Sequence, residues 1–492
     1  MGFKVDSSFL KFLTMGAAGV RRVAEELSAQ GFSPIELERY CATNKIWATK
    51  VKRLRLPDLL CVRTGLRVEV RAKSDLKIRM SDAPANPDRV WDAGLHDDDV
   101  VALIACVDGP QGPVPADGAI YFTVKSLRES VSQSKLGPAK SASEGAERDR
   151  TWPSTVPKRP GRVVSVGDGK IITSMEGDGA SRRSQTFALK GKHPYVRPGD
   201  TFQAGVTMLA GAPAAFADLT RHLDNTYDPL GQLGASSPLN RYAAVKALRF
   251  REELQAAAVG ALEEFLDREQ ERRVLLEAAG SAAALHSAKG EECIEEILWA
   301  ADAADMSMEA ILVLTELASP FAREQLCRVA TADEFKNDER RQAAVWGLGK
   351  AGVRSYGDLV PFVGDAEENV AYHAIAGFGP DTRPAVIDEL VSLLLLGDPR
   401  RAPGASEALR VIGSPAALES LVRAVEAGKG RTDWAVATIG RLSPNLVRER
   451  LRGTPLLAQL EPMLLLAPGA NWLAGEEAVT DLAFLMKQAL IG

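Results

Sequence analysis

Pro57-Asp-Leu-Leu-Cys-Val-Arg-Thr-Gly-Leu-Arg-Val-Glu-Val-Arg-Ala-Lys73 carries more structural information than any other segment of this 492-residue chain. Two short apolar runs, Leu59–Val62 and Leu66–Val70, flank a Thr64-Gly65 turn, so they read as adjacent antiparallel strands. Asp58 opens the first strand, and Glu69, Arg71 and Lys73 alternate along the second. Period-two geometry puts those three side chains on one face. Carboxylates on neighbouring strands, with a cation beside them, can hold Mg²⁺ or Mn²⁺ and set a water against a phosphodiester. The same four side chains could also form a solvated sheet face with surface ion pairs.

The flanking sequence extends the pattern. Leu10–Gln30 places Phe12, Leu13, Val20, Val23 and Leu27 near helical spacing and ends at Gly31, as a helix with a C-terminal glycine does. Phe32–Tyr40 reads as a strand, Asp88–Leu95 as a short helix, and Val100–Val107 as a buried strand. Ala119–Val124 is another strand, before a helical Ser126–Ser132. Pro-Asp, a hairpin, then an acidic-x-basic triplet, in the order helix, three strands, helix, strand, resembles the PD-(D/E)xK nuclease superfamily and its αβββαβ core. The resemblance covers residues 1–132. It implies a Mg²⁺-dependent phosphodiesterase with Asp58 and Glu69 as metal ligands and Arg71 where that family has lysine.

Two departures from the family pattern bear on catalysis. Arginine keeps the charge of the family lysine, but its always-protonated planar fork cannot act as a base. Lys73 lies one same-face position further and has a long stem that could return an ammonium to the site. The family's helix glutamate has no counterpart in Gly16–Val23. Glu38, near the end of the first strand, could replace it as a third metal ligand, although Glu36 shares its face.

Composition frames these readings. Five cysteines (Cys41, Cys61, Cys106, Cys293, Cys327) are scattered without a Cys-x-x-Cys pair, which fits buried thiols in a reducing compartment. Five histidines do not cluster, which argues against zinc. No apolar run approaches a membrane span and the N-terminus lacks a signal-peptide core, so a cytoplasmic protein is expected. Charge is divided unevenly: residues 1–203 carry about +8 and residues 204–492 about −13. The positive excess is densest at Lys45, Lys50, Lys52, Arg53 and Arg55, around Trp47, and again from Arg148 to Arg197, around Tyr195. A basic half beside a phosphodiester-type site points to nucleic acid, with DNA favoured.

Residues 133–160 are rich in Ser, Ala, Gly and charge and read as a linker. Residues 161–215 read as a small β-rich domain: Asp168-Gly169 joins two strands, Pro198-Gly199-Asp200 marks another turn, and Arg182-Arg183 sits on a basic loop. From residue 236 to 492 the chain becomes a helical array. Ala344-Val-Trp-Gly-Leu-Gly349, Ala374-Ile-Ala-Gly-Phe-Gly379, Ala408-Leu-Arg-Val-Ile-Gly413 and Ala435-Val-Ala-Thr-Ile-Gly440 recur at glycine intervals of 30, 34 and 27 residues. This is similar to short HEAT-like repeats, which present long faces to protein partners or to another copy of the chain. Arg340-Arg341 and Arg400-Arg401 could touch a nucleic-acid backbone, and residues 472–491 read as a capping helix.

The expected class is therefore multidomain, α/β plus all-α. The expected function is a Mg²⁺-dependent nuclease with a helical module that recruits or senses a partner, an architecture that suits bacterial antiphage defence. A scaffold that binds nucleic acid without cutting it is the alternative, and a pure protein-interaction adaptor with a decayed nuclease domain is a third reading.

Overall fold

The computed structural model describes residues 7–37, 47, 54–82, 90–109, 112–139, 146–175, 183–300, 304–350 and 352–466. Two compact units emerge. One comprises residues 11–42 and 53–261, and the other comprises residues 1–10, 43–52 and 262–492.

The first unit is built on a mixed sheet. Its strands are β1 (Pro34–Glu36), β2 (Leu59–Cys61), β3 (Arg67–Lys73), β4 (Arg79–Asp82), β5 (Val100–Gly109), β6 (Gly112–Pro115) and β7 (Ile120–Thr123). The main sheet runs β1-β2-β3-β5, with β6 and β7 both paired to β5. β1, β2 and β3 are successively antiparallel, β5 is parallel to β3, and β7 is antiparallel to β5. Helix α1 (Ser7–Ala29) covers one face. It stops as the sequence requires: Gly31 takes φ +93°, Phe32 N–H donates to the Leu27 carbonyl and Gly31 N–H to Ser28. Val23 and Leu27 of α1 pack on Val68, Val70, Val100, Ala102 and Ile104. A Cβ on Gly19 would lie 2.7 Å from the Ala72 Cβ, so the helix needs glycine there to come this close.

The opposite face holds a second core. Val101, Leu103, Ala105 and Phe122 pack against Ile78, Met80, Trp91 and Leu95, and against Trp152, Val206 and Met208. Two expectations change here. Of the stretch 88–95, expected as a short helix, the described residues 90–95 form turns, and Trp91 and Leu95 both enter this core. The stretch read as a linker contains β8 (Gln133–Ala139) and β9 (Ala146–Thr151), which pair with each other, and β9 pairs with β4 to complete a three-stranded sheet. Those strands carry no apolar period. Their order comes from the backbone ladder on β4 and from Trp152, fully buried, with its indole N–H on the Leu127 carbonyl (2.8 Å) and its ring edge-on to Trp91.

The β-rich stretch from 154 to 211 opens with β10 (Ser154–Thr155) and adds two small sheets. β11 (Gly161–Gly167) and β12 (Lys170–Met175) meet at Asp168-Gly169, whose φ values of +48° and +68° are those of a tight hairpin turn. Val206 and Met208 belong to the core under the main sheet, so this stretch shares a core with the N-terminal residues. Helix Pro238–Leu248, expected to begin the array, lies in the same unit as the sheet.

The other unit is all-helical in its described residues from 272 to 466. Helices Arg272–Ala284 and Ala288–Leu298, Pro320–Thr331 and Glu339–Leu348, Pro384–Leu396 and Ala402–Ile412, and Pro415–Ala427 and Thr432–Ile439 pack as successive pairs. The repeated alanines are the contact surface: Ala344, Ala374, Ala408 and Ala435 are all fully buried. Arginines link these helices to segments beyond their own pair. Arg341 binds Asp365 and Glu367, Arg431 donates to the carbonyls of Leu393, Leu394 and Gly397, and Arg441 pairs with Glu407. Arg401 likewise donates to the Val360 and Pro361 carbonyls, so Arg341 and Arg401 are committed within the array. Residues 472–491 lie outside the described residues.

Two glycines make opposite predictions. A Cβ on Gly404 would sit 1.6 Å from the Val363 carbonyl oxygen, whereas one on Gly260 meets nothing within 4 Å. Alanine is favoured over glycine inside a helix by about 0.5–1 kcal/mol. Gly260→Ala should therefore raise the thermal midpoint. Gly404→Ala should lower it, because forcing atoms into a packed site costs typically about 1–3 kcal/mol and outweighs the propensity gain. Calorimetry on both variants checks the pair of signs.

Candidate active site

The site is set by the register of three strands. Leu59 faces Val68 and Leu60 faces Arg67 across the antiparallel β2–β3 ladder, which sets Asp58 across from Glu69. The turn between them is held by Cys61 N–H on the Leu66 carbonyl, Gly65 N–H on Cys61, and φ +76° at Gly65. Asp58 Oδ2 accepts the Val70 N–H at 2.7 Å, which pins its half-buried carboxylate to the backbone of β3 beside Glu69. Its own carbonyl accepts Leu37 N–H at 2.8 Å, which ties it to the end of β1.

Along β3, Val68, Val70 and Ala72 face α1, while Arg67, Glu69, Arg71 and Lys73 take the other face. The four charges on that face have different fates. Arg67 is 7% exposed and makes a two-pronged pair with Asp99, reaching the Gly94 carbonyl as well (3.2 Å). Asp99 also accepts His96 N–H at 2.7 Å. This Arg67–Asp99 pair is structural, and the sequence reading did not include it. Glu69 and Arg71 form an ion pair in which the glutamate is the more enclosed partner. Lys73 Nζ donates to the Arg79 carbonyl at 2.5 Å. Burial, then the neighbouring charges of Arg71 and Arg79, push the Lys73 ammonium down to about 8, against the opposing pull of Asp75 and Asp149.

Two hard carboxylates on adjacent strands fit a Mg²⁺ or Mn²⁺ ion, which takes one or two protein carboxylates and keeps several waters. Among the described residues no group of three or more His, Cys, Asp or Glu converges on one point. Glu38, proposed as a further ligand, lies outside the described residues, as do Lys45, Lys50, Lys52, Arg53 and Arg182 of the basic clusters. Arg183 opens β13 (Arg183–Ala188), and Arg55 is half-buried just before β2.

The two aromatics among the basic clusters are not presented for base stacking. Trp47 is 1% exposed and packs with Trp346 (6.3 Å between ring centres) and His373 (5.4 Å) of the helical unit. Tyr195 donates its hydroxyl to the Pro213 carbonyl at 2.6 Å and packs on Phe216.

No family model matches the chain, and no curated protein matches it.

Lys73 gives the site a measurable signature. An amine-acylating reagent applied across a pH series should modify Lys73 with a midpoint near 8 rather than the ordinary 10.5, as read by mass spectrometry of its peptide. Arg71→Met removes a positive neighbour that disfavours protonation, so the Lys73 midpoint should rise. A midpoint at the ordinary lysine value in the wild type would contradict this environment.

Proposed function

We propose that the N-terminal unit is a Mg²⁺-dependent nuclease of PD-(D/E)xK type that cuts phosphodiester bonds, with DNA the favoured substrate, and that the helical unit, a HEAT-like array, recruits or senses a protein partner. The observation that carries this reading is that Asp58 and Glu69 lie one step beyond the Leu59–Val68 rung of the β2–β3 ladder, with Asp58 pinned by the Val70 N–H. The sheet order β1-β2-β3-β5-β7, with β5 parallel to β3 and α1 on one face, supports the family assignment. Asp58 and Glu69 would hold the ion, which when bound supplies Lewis acidity and a more acidic water. Arg71 would exchange its partner Glu69 for the phosphate, and its fixed fork suits an oxyanion better than proton transfer. Lys73, with an ammonium easily deprotonated near neutral pH, is the better candidate for proton movement. The excess of positive charge in residues 1–203 supports nucleic acid as the partner. A role in bacterial antiphage defence rests on the combination of nuclease and repeat module alone.

One observation favours the alternative, a nucleic-acid-binding scaffold without turnover. The Glu69–Arg71 pair satisfies the glutamate's charge without any metal.

Plasmid DNA and RNA, each with Mg²⁺, Mn²⁺ or EDTA, separate the two readings. The nuclease reading expects metal-dependent cleavage that Asp58→Ala and Glu69→Ala each abolish with circular dichroism unchanged, and that Arg71→Lys retains or raises. The scaffold reading expects no cleavage, but binding that weakens steeply with salt and with charge reversal at Lys50, Lys52, Arg53 and Arg55. Neither cleavage nor salt-dependent binding would leave only a protein-interaction role.

A further inference from the structure

Lys246 lies in helix Pro238–Leu248 among Ala243, Ala244, Val245, Ala247 and Leu248, all buried, and is itself only 2% exposed. A lysine is almost never this enclosed, because removing an ammonium from water costs several kcal/mol even after the protein relaxes. An apolar residue at this place in the helix would escape that cost. The ammonium donates to the Leu37 carbonyl at 3.1 Å. Leu37, in turn, donates its N–H to the Asp58 carbonyl (2.8 Å), and the Asp58 carboxylate accepts Val70 N–H (2.7 Å). A single line of hydrogen bonds thus runs from the helix through the end of β1 to Asp58 and into β3 beside Glu69.

We propose that Lys246 is a positioning residue for the Asp58–Glu69 site: its buried amino group fixes the backbone of Leu37 through its carbonyl, and Leu37 N–H in turn fixes the backbone of Asp58 and so the direction of its carboxylate. The proposal rests on the nuclease reading for its purpose, while its geometry is independent of that reading. Two neighbouring contacts support it. Arg251, just past the same helix, donates to the Val62 carbonyl at 2.7 Å, and Asn240 within it accepts from Arg67 at 3.4 Å. Val62 lies in the β2–β3 turn and Arg67 opens β3, so the helix and the residues after it hold the hairpin at its turn end, a few residues from Asp58. A buried polar anchor is a sharper positioning device than an apolar contact, since moving the lysine away breaks its hydrogen bond to the Leu37 carbonyl inside the protein rather than in water.

The test uses the full-length chain and two readouts. Lys246→Met keeps the stem and removes the donor. Amide hydrogen exchange on peptides covering 33–37 and 57–72 should speed up at least tenfold, while helical peptides from 384–439 stay unchanged. Mn²⁺ affinity, read by the paramagnetic signal of free Mn²⁺, should fall about tenfold, and Lys246→Arg should recover part of both effects. A role confined to stability would lower the thermal midpoint with Mn²⁺ affinity unchanged, and that result would overturn the proposal. Unchanged exchange in 57–72 would overturn it equally. Should Lys246→Met fail to fold, Lys246→Gln, which keeps an N–H donor on a shorter stem, is held to the same exchange and affinity criteria. A wild type that binds no Mn²⁺, yet whose exchange responds to Lys246→Met, would uphold the pin on Asp58 and overturn the metal-dependent nuclease reading instead.

Discussion

The first half of strand β5 has no face to give to water. From Val100 to Ala105 it is buried on both sides, with even-numbered residues under α1 and odd-numbered ones against the core that contains Trp152. A strand committed in this way tolerates no slip, since a shift of one residue would exchange the two cores. The parallel pairing of β5 with β3 passes that fixed register to Val68 through Lys73. The β2–β3 ladder then passes it to Asp58. The candidate site therefore inherits its geometry from an apolar strand that contributes no chemistry. The Arg67–Asp99 pair secures the transfer at the start of both strands, where a buried two-pronged ion pair holds β3 to the residue that precedes β5.

Much of this was legible in the sequence because it is local. Alternation over Leu59–Lys73, a Thr-Gly turn and a glycine after a helix are all signals that fit within a few residues, and the strands and α1 formed where those signals lie. The repeating alanines of the array are legible for the same reason. What escaped is held by distant partners. β8 and β9 look like linker because their side chains are polar; they pair with each other, and the edge of β4, more than fifty residues upstream in sequence, joins β9 to complete the sheet. Nothing beside Lys246 marks it as buried, because the carbonyl it meets lies 209 residues away in the chain. Trp47 stands in a basic segment, and nothing near it in sequence shows that its ring packs with Trp346 and His373.

The helical unit solves a different problem. Its pairs bury alanine faces that are too small to specify one another strongly, so direction comes from arginine forks that reach beyond their own pair. Carbonyl oxygens at helix ends are natural acceptors for such forks, being left over by the helical pattern itself. This explains how a unit rich in acidic residues also keeps many arginines, and why several arginines that look available for nucleic acid are already occupied.

The placement of Trp47 has a consequence for the timing of synthesis. Its ring partners are translated about 300 residues later, which at 5–20 residues per second is a delay on the order of 15–60 s. Throughout that interval a large indole made early in the chain has no finished surface to enter, although the sheet whose strands flank it in sequence can already close. The helical unit, by the same token, is not a cassette that a single cut can release. A chain severed near residue 262 parts it from a ring that belongs to its interior.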